Sequence, residues 1–171
     1  AYIRELLTKH VKVQDKSARD SVQDFRGGNG DVGISYENEA ITAQQKGAGV
    51  DYVIPDQTLL IENPAAVTSD ASPKAQDFLD FQLSKEGQTL YAEAGFRPVI
   101  SGVKTDVPGA NDPSNPFPKV PHLYTIDKDF GGWDKANPEY FDDTTGIITK
   151  IIEIDEAGWE ADTRNMPGYF G

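Results

Sequence analysis

Residues 15–47 constrain the fold most tightly. "DKSARDSVQDF" places Ala18, Val22 and Phe25 on one helical face, with Asp15 or Ser17 as the cap. Gly27, Gly28 and Gly30 end that helix. "DVGIS" (31–35) then predicts a short apolar strand, and "ENEAITAQQ" a further helix stopped by Gly47. Helix, strand and helix in succession point to an α/β chain.

The rest of the chain extends this pattern. Ile3, Leu6 and Leu7 share a face of a helix over 2–10, and 50–55 reads as a strand closed by Pro55. "TLLIENPAAVTS" (58–69) is extended and broken at Asn63–Pro64, because the residue before a proline avoids helical geometry. Ser72, with Pro73 at the first position, opens one helix whose Phe78 and Leu79 are expected to face the core. Ser84 opens another, with Leu90, Tyr91 and Ala94 as its apolar stripe and Gly95 as its stop. Five of the eleven prolines fall in 103–121, which reads as a surface loop. "LYTID" is a strand candidate, 130–143 is aromatic and turn-rich, and 144–154 predicts a last helix before an aperiodic tail.

Composition removes several functions. With 28 acidic and 16 basic residues the formal charge is −12, which disfavours nucleic acid and anionic membrane surfaces as partners. Without cysteine there is no thiol chemistry and no cysteine–zinc site, and the two histidines, His10 and His122, form no ligand pair. No metal or cofactor is expected. No run approaches the roughly 18 apolar residues of a membrane helix. The opening "AYIRELLTKH" lacks the pattern of a secretion signal.

The candidate sites are few. "GGNGDVG" lacks the lysine and hydroxyl of a phosphate loop and precedes a strand rather than a helix. Glu37 and Glu39 are close enough to suggest paired carboxylates, yet acids at a helix start also suit its dipole. Ser35 and Ser69 have no histidine to activate them. The start of the second helix is more promising. The backbone N–H groups of Ser17, Ala18 and Arg19 surround a helix N-terminus, where unpaired donors and the dipole both favour an oxyanion. Tyr36, at the end of the apolar run, adds a phenolic donor where open α/β sheets collect ligands.

At these residues the chain resembles the periplasmic sulfate-binding proteins of ABC importers. The segments concerned are "KSARDSVQDFRGGNGDVGISYENEA", "IENPAAV", "FLDFQLSKEGQTLYAEAGFRPV" and "LYTIDKDFGGWDKANPEYFDDTTGIITKI". The resemblance implies an α/β fold of the type II periplasmic-binding-protein kind, two lobes joined by a hinge that close over a dehydrated oxyanion without catalysis. It implies a chain incomplete at its N-terminal side: 1–62 in the second lobe, 63–122 returning to the first, and 123–171 packing back on the second. It further implies sulfate or a related oxyanion as ligand, with the Ala18 amide as donor, Ser17 and Arg19 beside it, and Tyr36 where many members carry a tryptophan. The implied partners are membrane permease subunits and the missing N-terminal half, at a periplasmic or extracellular location, free or lipid-anchored. Molybdate or phosphate binding and a transcription regulator's effector domain are the alternatives. For a protonated phosphate, Glu37 is the acceptor the sequence offers.

Overall fold

A computed structural model describes residues 2–153. The chain forms two compact units, one comprising Val13–His122 and the other the segments on either side of it, Ala1–Lys12 and Leu123–Gly171. Residues 13–62 and 63–122 thus fall in the same unit.

The larger unit is built from helices. Helix α2 spans Ala18–Arg26 and α3 spans Glu37–Gln45. Helices α4 (Lys74–Gln82) and α5 (Lys85–Glu93) follow the short strand β1 (Gln57–Leu59). Ser17 caps α2, its Oγ accepting from the Asp20 amide at 3.2 Å, and Ser84 caps α5 by accepting from the Gly87 amide at 3.1 Å. Pro73 stands at the N-cap of α4. The unit ends at His122, the first residue of strand β2 (His122–Tyr124), whose amide donates to the Asp56 carbonyl.

The core of this unit lies on α3. Ile41 and Val107 are fully buried, Ala110 nearly so, with Tyr52 and Phe117 packed against them. Val107 and Ala110 belong to the proline-rich segment 103–121, which is irregular and mostly exposed, as expected of a surface loop, but also inserts these two side chains into the core. Its prolines shape the backbone but leave it free to insert apolar side chains. Gly109 shows how closely it approaches: with φ of +88°, an added Cβ would lie 2.7 Å from the Ile41 carbonyl oxygen. Gly95, at φ +87°, ends α5 directly against Ile41 and Asn38.

Other expectations are corrected. Residues 31–35 and 50–55 form no ladder, and Val32, Ile34 and Val53 are all more than three-quarters exposed. A strand needs a hydrogen-bonded neighbour, which periodicity alone does not supply. On α4, Leu79 is half-buried but Phe78 is exposed. On α5 the buried residues are Gly87, Gln88 and Ala92, while Leu90, Tyr91 and Ala94 are exposed. Gln88 is held by its amide, which donates to the Gln82 carbonyl at 2.9 Å, and its Oε1 accepts from Val99 N–H at 2.8 Å. A satisfied polar side chain can therefore take the inward position.

In the smaller unit, α1 (Tyr2–Glu5) continues into a π-helical turn over Leu6–His10. Thr125 caps α6 (Ile126–Asp129), and α7 (Trp133–Ala136) runs into a second π-helical turn over Asn137–Phe141. Phe130 and Tyr140 meet edge to face at 6.0 Å. Asp142 gathers the amides and hydroxyls of Thr144 and Thr145 before a helix that starts at residue 147. Those donors hold its carboxyl well below the usual carboxylate range, the Thr144 amide contributing most. The predicted tail lies outside the described residues, as does the end of the last helix. Among the described residues no helix is long and apolar enough to cross a membrane.

Candidate functional site

Two helix starts meet at one cavity of about 390 Å³. Ser17, Ala18 and Ser21 from the start of α2 form one side. Ile34, Ser35 and Tyr36, leading into α3, form the other, and Asp15 completes the rim. The α2 start follows from local chemistry. Ser17 has extended backbone angles, and its hydroxyl both accepts from the Asp20 amide and donates to Asp20 Oδ2 at 2.8 Å. That exchange satisfies the third amide of the helix. The amides of Ala18 and Arg19, in the first two positions, have no intrahelical acceptor.

Tyr36 is the N-cap of α3, with extended backbone and no side-chain cap. Its carbonyl accepts from Glu39 and Ala40 amides at 3.1 and 3.3 Å, and its side chain is 51% exposed. The two walls are joined directly: Ser35 Oγ donates to the Ala18 carbonyl at 3.3 Å. Close approach is possible because residue 33 is glycine, where a Cβ would meet the Phe25 ring at 3.2 Å.

Of the four residues singled out in the sequence, Ser17, Ala18 and Tyr36 line this cavity. Arg19 does not. Its exposed guanidinium reaches Glu39 at 3.7 Å, bracing α2 against α3. Glu37 is also engaged, accepting a two-pronged contact from Arg97 Nε at 2.6 Å and Nη2 at 3.0 Å. Neither glutamate lines the cavity, and each is engaged by an arginine.

Sequence reading missed Ser21, Ser35 and Asp15 as wall residues. Ser21 sits four residues after Ser17, one turn along the same face, a signal that was available. Ser35 shows in the sequence only as a hydroxyl without a histidine to activate it. The Asp15 carboxyl is pushed up from its ordinary value, first by loss of hydration, then by the charge of Asp24 and a hydrogen bond with it, then by Asp20. Among the described residues no group of three or more histidine, cysteine, aspartate or glutamate side chains is placed to hold a metal ion.

The cavity brings helix-start amides, hydroxyls and a phenol together, groups able to donate hydrogen bonds to a small solute. Consistent with that, residues 3–97 match the model of the bacterial extracellular solute-binding protein family, and the chain belongs to this family. It is 39% identical over 143 residues to the sulfate-binding protein of Synechococcus elongatus, covering 79% of this chain and 39% of that protein. It is 38% identical over 151 residues to the sulfate-binding protein of Synechocystis sp. (84% and 41% covered), and 37% identical over 145 residues to that of Escherichia coli (79% and 42%). The chain thus spans about two-fifths of the length of the curated relatives it matches.

Proposed function

We propose that this chain is part of the solute-binding subunit of an ABC importer, and that it contributes donors to a site for sulfate or a closely related tetrahedral oxyanion. The observation that carries the reading is the convergence of Ala18, at the start of α2, with Tyr36 on one cavity. Sulfate is a dianion with no proton near neutral pH, so a cage for it needs donors only. Each hydrogen bond to a charged acceptor contributes about 1.5–3 kcal/mol, so several neutral donors hold it without a countercharge. A chain of charge −12 is compatible with such a guest. The names of the relatives support sulfate over other oxyanions.

In this reading Ala18 donates from its backbone, Tyr36 donates its phenolic O–H, Ser17 shapes the helix start, and Arg19 braces it through Glu39. The whole protein has the two-lobed type II binding-protein fold. The remaining donors are expected from the part of the relatives' length that this chain does not span. Lobe closure outside the cytoplasmic membrane presents the loaded form to the permease, and no catalysis is involved.

Calorimetric titration of the full-length protein with sulfate, thiosulfate, molybdate and phosphate tests this. Sulfate is expected to bind tightest, and Tyr36→Phe to weaken it by about 1.5 kcal/mol or more, tenfold or greater in Kd. Absence of heat with all four anions rejects the proposal. A specific observation favours phosphate as a second reading: Asp15 on the rim is a carboxylate able to accept a proton-bearing oxyanion's O–H. Phosphate binding tighter than sulfate, lost in Asp15→Asn, would select it.

A further inference from the structure

We propose that Arg97 neutralises Glu37 beside the oxyanion site, acting from outside the cavity; this rests on the oxyanion reading above. Arg97 does not line the cavity. It lies beyond α5, sixty residues from Glu37 in sequence, and its guanidinium is committed on several sides. Nε and Nη2 donate to the two oxygens of Glu37 at 2.6 and 3.0 Å, and Nη1 donates to the Pro118 carbonyl at 2.7 Å. The guanidinium carbon stands 5.7 Å from the centre of the Phe117 ring. Phe117 in turn packs on the Ile41–Val107 core. One side chain thus connects the core, the proline-rich segment and the first residue of α3.

That first residue immediately follows Tyr36. The Tyr36 carbonyl accepts from the Glu39 and Ala40 amides, in the turn that Glu37 opens. A bidentate guanidinium–carboxylate contact fixes direction as well as distance.

The effect is electrostatic. Glu37 is one residue from a wall built to receive an anion. Its two side-chain oxygens are both engaged by the guanidinium, which cancels a charge that would otherwise repel the guest. The side chains of the pair are only 35% and 20% exposed, so water screens it incompletely. Arg19–Glu39 is a looser version of the same arrangement, a single approach of 3.7 Å with a 71% exposed arginine.

The test compares wild type, Arg97→Gln and the double variant Arg97→Gln/Glu37→Gln in the full-length protein, by sulfate titration and thermal melting. Arg97→Gln is expected to raise the sulfate Kd about tenfold, the size of one uncompensated charge near the guest at a partly screened site. The double variant, which lacks the ion pair but also lacks the stray charge, is expected to bind within about threefold of wild type. A merely structural arginine would lower the melting temperature of both variants and leave Kd alone. Arg97→Gln with wild-type affinity, or a double variant no tighter than Arg97→Gln, overturns the proposal. If Arg97→Gln does not fold, Arg97→Met, which keeps the apolar stem, takes its place with the same expected loss and the same overturning result. A wild type that binds no sulfate rejects the oxyanion reading itself. A wild type that binds, beside an indifferent Arg97→Gln, rejects only this inference.

Discussion

Helices α2 and α3 are of equal length and frame the same cavity, yet they are held in opposite ways. Helix α3 buries Ile41 and Ala43, receives Val107 and Ala110 from the proline-rich segment, and is clamped at its start by Arg97. Helix α2 buries no residue, and Val32 in the segment that follows it is exposed. The cavity therefore has one anchored wall and one wall held mainly by hydrogen bonds and a single ion pair. Binding elements are commonly drawn from the less stable end of a structure, since they must adjust to the guest. Tyr36 sits on the anchored side, and the Ala18 amide on the other.

The sharpest way to break this contrast is to truncate one apolar side chain on each side. Ile41→Ala is expected to destabilise the protein by about 2–5 kcal/mol, whereas Val32→Ala should change stability by less than about 0.5 kcal/mol. Equal losses in denaturant titrations would show that the two walls are equally supported. Next in size is Gly109→Ala, which forces a side chain into positive φ and against the Ile41 carbonyl. A loss of at least about 1–2 kcal/mol is expected. An unchanged melting temperature would mean that the proline-rich segment is not packed on α3.

On the lightly held side, Ser17→Ala removes the cap of α2 and should cost about 1 kcal/mol. Its effect on oxyanion affinity is expected to exceed its effect on the melting temperature, because the helix start itself is the donor group.

The smallest effects concern pH, and the two sides should respond with opposite sign. Asp112, in the proline-rich segment, is held below its ordinary value of 3.8 by the Ser114 hydroxyl, then by the Ser114 and Asn115 amides. A depressed carboxyl contributes stability above its unfolded value and loses it as pH falls through the folded one. Asp112→Asn should therefore lower the melting temperature near neutral pH and have little effect well below pH 3.8. Asp15 is raised instead, so its ionised form is disfavoured in the folded chain, and stability is lost as pH climbs through 3.8 towards the folded value. Asp15→Asn should raise the melting temperature slightly near neutral pH and leave it unchanged in acid. Melting curves for both variants across pH that shift in the same direction would remove the distinction.

Much of this could be read from residues alone because it is local. Ser17 and Ser84 cap their helices, and Gly95 ends α5, since each motif is satisfied within one or two turns. The cavity residues Ser17, Ala18 and Tyr36 were legible for the same reason: a helix start and the end of an apolar run announce themselves in sequence. Other features depended on partners far along the chain. Whether 31–35 becomes a paired strand depends on a neighbour, and whether Gln88 or Leu90 turns inward depends on what Gln82 and Val99 offer. Burial of Val107 under a proline-rich label, and the grip of Arg97 on Glu37 across sixty residues, also needed the folded chain. Sequence fixes what a residue can donate, cap or turn within its own neighbourhood. Tertiary structure alone decides which distant group receives it, because that pairing is set by packing over the whole unit rather than by spacing along the backbone.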